Sequence, residues 1–405
     1  MPHETSLIAT IAVGLVVACF GGFITVRLRL PPLVGYLLAG VAVGPFTPGF
    51  VADTKLAPQL AEIGVILLMF GVGMHFSLRD LLAVRRIALP GALAQIVAAT
   101  AMGVGVASLW GWSIGSGLVF GLALSVASTV VLLRALEARG RLDTVDGQIA
   151  VGWLIVEDLV MVLALVLLPA VAGQLGGHAA GHAPVSDNLW TTLGLTLAKV
   201  GLFVALMLVA GARLCPWLLK RVEHTGSREL FTLVVVALAL GIAFGSAELF
   251  GVSFALGAFF AGMVINESDL SHRAATDLQP LQDTFAVLFF VAVGMLFDPA
   301  IVVRRPLQVL AVVAIIVVGK SLAALAIALV LRCSVTTALT VSAALAQIGE
   351  FSFILAGLGV SLRLLPPEGP SLIVAGALLS ITLNPLVFYG VEKYAAGVPQ
   401  RQKQS

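Results

Sequence analysis

Val34-Gly35-Tyr36-Leu37-Leu38-Ala39-Gly40 returns in the second half of the chain as Leu256-Gly257-Ala258-Phe259-Phe260-Ala261-Gly262. A second pair keeps nearly the same spacing: Val72-Gly73-Met74-His75-Phe76 returns as Val293-Gly294-Met295-Leu296-Phe297. Two short matches weigh little in an apolar chain, but a near-constant offset reads as an internal repeat.

The chain around these motifs is apolar throughout. Of its 405 residues, 60% are hydrophobic and 11% charged, against about 25% charged in soluble domains. Mean hydropathy is +1.08. Such a chain is a polytopic membrane protein, which excludes a soluble enzyme, a secreted disulfide scaffold and a disordered regulator. A net charge of +2 gives no reason to expect nucleic acid. Cys19, Cys215 and Cys333 are far apart and form no C-x-x-C, so neither a metal site nor a disulfide framework is expected. The opening MPHETS lacks the basic region and cleavage site of a secretory signal, so the first apolar run is expected to remain.

A bilayer core about 30 Å thick needs about 20 apolar residues of helix. That ruler marks thirteen spans, at 7–26, 33–49, 59–76, 87–109, 114–134, 147–173, 190–212, 229–248, 252–267, 281–298, 306–331, 335–360 and 371–391. With the N-terminus outside, the cytoplasmic segments hold 17 of the 23 Lys and Arg residues. The outer loops hold four, Lys55, Arg304, Arg305 and Arg363. The positive-inside rule thus places the N-terminus outside and the C-terminus in the cytoplasm of a plasma or bacterial inner membrane.

Spans one to six pair with eight to thirteen, and span seven joins them. An odd number of intervening crossings brings the second copy in from the opposite face. That is the inverted-topology repeat of many secondary transporters, whose sites lie near the midplane at broken helices. The expected organisation is a first repeat over 1–176 and a linker over 177–228 carrying span seven. A second repeat over 229–394 and a short tail over 395–405 complete it.

Ionisable groups at membrane depth are costly and mark function. Glu157 and Asp158 stand mid-span in Gly152-Trp153-Leu154-Ile155-Val156-Glu157-Asp158-Leu159-Val160-Met161-Val162. Adjacent helical residues point about 100° apart, so the two carboxylates can serve different partners. Buried, paired carboxylates hold a proton more readily and a nearby cation reverses that, which suits exchange of a proton for a metal cation. Lys320 is the basic group near a span's centre, with Glu157 or Asp158 as its expected partner. Glu350 is the fourth buried charge, and Lys199 sits near enough to an end to snorkel. Polar interruptions also coincide in the repeat. Ser125-Val126-Ala127-Ser128-Thr129 lies in span five and Gln347-Ile348-Gly349-Glu350 in span twelve, and Gly349 stands to Ser128 as Val293 stands to Val72. Unwinding at such points frees carbonyls and helix ends to coordinate a cation; ordinary hydroxyl bonding between packed helices is the plainer alternative.

Other features carry less. Val34-Gly35-Tyr36 lacks the flanking residues of a potassium filter, and the sequon Asn266-Glu267-Ser268 falls on the cytoplasmic side. His178 and His182 have i, i+4 spacing but no further ligands. No phosphate loop, nucleophile elbow or HExxH is present, so neither enzymatic chemistry nor a bound cofactor is expected.

Together Leu30-Pro31-Pro32 with the 34–40 motif, the 256–262 motif, Pro280 to Met295 and Gln347-Ile348-Gly349-Glu350-Phe351 resemble the Kef-type monovalent cation:proton antiporters over essentially the whole chain. The resemblance implies an all-α fold of about thirteen helices. A scaffold (spans one to three and eight to ten) would dimerise; a mobile core (spans four to six and eleven to thirteen) would hold spans five and twelve broken and crossed. Asp158 stands where the family's ion-binding aspartate stands, and Lys320 at the family's core lysine. At Glu157 relatives carry Gln, Asn or Asp; Gln-Asp goes with potassium and Asp-Asp with electrogenic sodium exchange, and Glu-Asp matches neither. Many relatives also carry a cytoplasmic nucleotide-binding regulatory domain after the last span.

The expected function is exchange of K⁺, with Na⁺ next, for H⁺ by alternating access. Asp158 and Glu157 form the ion and proton site, and Lys320 is their charge partner. Ser125, Ser128, Thr129, Gln347, Gly349 and Glu350 supply the breaks and the cation's shell. A gated cation channel and a sodium-coupled organic-anion symporter are the rival readings.

Overall fold

Residues 6–53, 55–75, 78–142, 144–177 and 189–397 are described by the computed structural model, and all regular structure among them is helical. In chain order the helices are α1 (Ser6–Arg27), α2 (Pro32–Ala42), α3 (Leu56–His75), α4 (Leu78–Leu109), α5 (Ile114–Ser125), α6 (Thr129–Glu137), α7 (Val145–Val171), α8 (Leu189–Leu206) and α9 (Ala212–Glu223). There follow α10 (Arg228–Phe250), α11 (Phe254–Asn266), α12 (Ser271–Met295), α13 (Ala300–Arg304), α14 (Pro306–Val313), α15 (Lys320–Val330), α16 (Val335–Ala344), α17 (Glu350–Ser361) and α18 (Glu368–Gly397). Among the described residues ten segments are long and apolar enough to cross a membrane, and α2, α11, α16 and α17 are shorter apolar helices. Every expected span therefore has its helix or pair of half-helices, the last two forming the twelfth. His178, His182, Phe76 and residues 398–405 lie outside the described residues.

Three spans run further than hydropathy suggests. α4 begins at Leu78 rather than 87, and α12 at Ser271 rather than 281, because their first turns are polar. Span seven continues through a π-helical turn, Met207–Gly211, into the amphipathic α9. A second π turn, Ala314–Gly319, immediately precedes Lys320; such turns recur at functional positions.

The chain divides into two compact units, one of residues 1–25, 35–77 and 162–298, the other of 26–34, 78–161 and 299–405. In the first unit the repeated glycines have a packing role. A Cβ at Gly40 would fall on the Val291 carbonyl and one at Gly294 on the Leu37 carbonyl; Gly73 meets Phe259 and Gly262 meets Phe70 in the same way. The first motif thus packs on 291–294 through Leu37 and Gly40, and 256–262 packs on 70–74. These are two equivalent crossings where backbones approach too closely for any side chain. At one end of this unit Lys220 pairs with Asp269 and Arg228 with Asp277, both at 2.8 Å.

In the second unit α5 packs between α4 and α17, while α15 lies against α4 and α16. Trp153 of α7 is wholly buried and would meet any side chain placed at Gly91 of α4. Serines begin the short helices by accepting a backbone N–H: Ser113 for α5, Ser128 for α6 and Ser334 for α16.

Candidate ion-binding site

The break in span five is three non-helical residues, 126–128. α5 ends at Ser125, Val126 and Ser128 are extended, and α6 starts at Thr129. The break in span twelve runs from Leu345 to Gly349. Gly349 has φ −142° and ψ −153°, an extended conformation open to any residue. What demands glycine there is space, since a Cβ would strike the Ser128 backbone.

The two breaks are laced together. Ser128 N–H donates to Gln347 Oε1 at 2.9 Å, and Gln347 Nε2 donates back to the Ser128 carbonyl and to the Ala344 carbonyl, both at 3.2 Å. Ser128 Oγ donates to Glu350 Oε2 at 3.2 Å. Positions 128 and 349, equivalent in the repeat, therefore lie against each other.

The acids attach to this junction from α7. Glu157 Oε2 accepts the Ala127 N–H at 2.9 Å, and Asp158 Oδ2 accepts the Thr129 hydroxyl at 3.1 Å. The neighbouring carboxylates thus serve different partners. Glu157, Lys320 and Glu350 are at most 1% exposed and Asp158 is 6% exposed, so none reaches water freely. Each acid also keeps an oxygen without a hydrogen-bond partner among the described residues: Glu157 Oε1, Asp158 Oδ1 and Glu350 Oε1.

Lys320 divides its role. Its Nζ donates to the Gln347 carbonyl at 2.8 Å. Its electrostatic partner is Glu157, although no ion pair within 4.0 Å joins it to a carboxylate among the described residues. Asp158 instead feels the negative charges of Glu350 and Glu157. Ser125 is less directly placed: its hydroxyl donates to the Leu122 carbonyl at 2.8 Å.

Two buried amides escape sequence reasoning. Gln95 Nε2 on α4 donates to the Ser125 carbonyl at 3.1 Å, and Asn384 Nδ2 on α18 donates to the Ala343 carbonyl at 2.9 Å. A lone polar side chain in an apolar helix is the trace each leaves in the sequence. Chemically the site offers carboxylate, carbonyl and hydroxyl oxygens without sulfur or imidazole, a donor set for hard cations and protons.

The model of the transmembrane sodium/hydrogen exchanger family matches residues 15–389. YbaL of Escherichia coli (strain K12), provisionally named a cation/proton antiporter, is 62% identical over 405 residues, covering 100% of this chain and 72% of that protein. K(+) efflux antiporter 4 of Arabidopsis thaliana is 33% identical over 387 residues, covering 95% and 64% respectively. The solved sodium proton antiporter MjNhaP1 from Methanocaldococcus jannaschii superposes with a TM-score of 0.72 at 16% identity, covering 96% of this chain and 98% of that one. This last likeness is one of fold alone.

Proposed function

Because this chain belongs to the sodium/hydrogen exchanger family and is a cation/proton antiporter, we propose that Asp158 takes up cation and proton in turn, with K⁺ the preferred ion and Na⁺ the next. The observation that carries this is the division between the two acids. Each acid spends one oxygen and keeps one, but Glu157, held by the Ala127 N–H, faces the charge of Lys320, whereas Asp158, held by the Thr129 hydroxyl, faces the negative charges of Glu350 and Glu157. A cation on Asp158 displaces a proton from the same oxygens, so the two compete and neither crosses without the other. Thr129 orients Asp158, Ser128 and Glu350 complete the polar surroundings, and Gln347 and Gly349 keep the breaks in contact. Movement of the second unit as a body switches access between the two sides. The identity to a relative named a K(+) efflux antiporter favours potassium. The protein acts in the plasma or bacterial inner membrane, N-terminus outside, as a homodimer under a cytoplasmic regulatory domain or subunit.

The test is dissipation of a pH gradient in proteoliposomes with K⁺, Na⁺, Li⁺ or choline, beside Asp158→Asn. Cation-dependent proton movement is expected from the wild type and none from the variant. Equal exchange by a folded Asp158→Asn protein overturns the site, and cation current without proton movement turns the assignment to a channel.

A further inference from the structure

The Gln95 amide plays no part in the ion site as described, yet it is wholly buried and holds the Ser125 carbonyl, one of those that the end of α5 leaves free. A carbonyl only accepts, so the amide nitrogen must face it, and Oε1 is left without a partner among the described residues. The second break has the same device. Lys320 donates to the Gln347 carbonyl, and Gln347 stands to Ser125 as Leu256 stands to Val34 in the first motif pair. Gln95 lies in the fourth span of the first repeat and Lys320 in the fourth span of the second. Each span reaches the freed carbonyl of its own repeat's broken helix, one with a neutral amide and the other with a charge.

The carbonyl that Gln95 holds is two residues from the Ala127 N–H that binds Glu157, three from Ser128 and four from Thr129. Extended backbone between these points has no helical bonds to fix it, so its course depends on what grips its ends. Gln347 grips it at Ser128, and Gln95 at Ser125.

We propose that Gln95 is a positioning residue for ion exchange, resting on the cation site proposed above. By pinning the Ser125 carbonyl it sets the course of residues 126–129, and through them the places of Glu157 and Asp158. It determines how well the site fits its cation without touching that ion.

Gln95→Met and Gln95→Glu test this in the proteoliposome assay. Methionine fills a similar volume but cannot donate, so the apparent KM for the cation rises about tenfold, the worth of one buried hydrogen bond. Vmax changes less. The glutamate variant matches the shape of glutamine and donates to the carbonyl only when protonated. It exchanges like the wild type at acid pH and loses cation affinity as the pH rises. Glu157, Asp158, Glu350 and Lys320 titrate in both proteins, so the signature is the difference between the two pH profiles. Mere space-filling predicts wild-type KM for Gln95→Met and no extra pH dependence for Gln95→Glu, and that result overturns the proposal. Should Gln95→Met fail to fold, the pH profile of Gln95→Glu decides alone. Asp158→Asn run alongside separates the two ideas: exchange by that variant removes the site itself, whereas a silent Asp158→Asn with a wild-type Gln95→Met removes only the role of Gln95.

Discussion

Adding one methyl group where the two breaks meet should uncouple them. In Gly349→Ala the new Cβ falls on Cα and Cβ of Ser128, inside van der Waals contact, and also meets the Ser128 nitrogen. Backbone cannot swing aside like the end of a flexible side chain, so the segments must part by about 1 Å to restore a normal separation. Ser128 carries three hydrogen bonds across this junction, to Gln347 Oε1, from Gln347 Nε2 and to Glu350 Oε2. Overpacking costs about 1–3 kcal/mol, and weakening those bonds adds about 1 kcal/mol for each one lost. The loss is therefore about 2–6 kcal/mol as one to all three bonds go. A displacement of about 1 Å also moves Thr129 and Asp158, which is worth about a hundredfold in rate. Two measurements decide: melting of the purified protein in detergent, and cation-driven proton movement in proteoliposomes. Gly357→Ala, also on α17 but with nothing near its added Cβ, serves as the control: it leaves exchange unchanged and does not lower the melting temperature. Wild-type exchange and melting by Gly349→Ala would refute the claim that contact between the breaks builds the site.

Lys320→Met removes both the donor to the Gln347 carbonyl and the charge facing Glu157, and leaving that buried carbonyl without its donor costs about 1–3 kcal/mol. Adding Glu157→Gln should recover part of that loss in melting temperature, and a double variant no more stable than Lys320→Met would show that Glu157 is not its partner. If cation and proton compete for Asp158, raising the pH by one unit lowers the apparent KM for the cation by up to about tenfold while Vmax holds, as mass action requires; a KM flat with pH would contradict competition. Asp269, outside the spans, is held below the usual carboxylate range by the hydrogen bond and charge of Lys220. The pair's contribution is thus present above that range and lost as pH falls through the lowered value. Both groups are fully exposed, so Asp269→Asn should leave the melting temperature at pH 7 unchanged.

Hydropathy and charge are local properties, and what depends on them was readable: the spans, the interruptions at 125–129 and 347–350, and the acids of span six. What depends on distant partners was not. Gln95 binds a carbonyl 30 residues away and Asn384 one 41 residues away, and nothing in either helix announces those partners. The spacing of Lys320 leaves Glu157 and Asp158 equally eligible; only the folded α15 and α7 single out Glu157. Gly349 is legible as a helix breaker, but its extended φ and ψ show that it supplies room rather than backbone freedom. The polar first turns of α4 and α12 were missed because a hydropathy window stops where water begins.

A helix broken inside a membrane exposes backbone groups that no solvent can satisfy, and each must find a partner in the protein. Here the partners sort by charge. The carbonyls of Ser125, Ala343 and Ala344 take amide nitrogens from Gln95, Asn384 and Gln347, and that of Gln347 takes the Lys320 ammonium. The N–H of Ala127 takes Glu157, the Thr129 hydroxyl takes Asp158, and the Ser128 hydroxyl takes Glu350. A carboxylate used in this way spends one oxygen and keeps the other, and the three unpaired oxygens of Glu157, Asp158 and Glu350 are that remainder. Using acids to accept the Ala127 N–H and the Thr129 and Ser128 hydroxyls, while the Gln347 amide takes the Ser128 N–H, therefore leaves buried acceptors that only a proton, a cation or water can fill. Replacing the same acids by Gln or Asn would keep an acceptor for these donors, the Thr129 hydroxyl in the case of Asp158, while removing the exchangeable charge, and Asp158→Asn is therefore expected to fold and be silent.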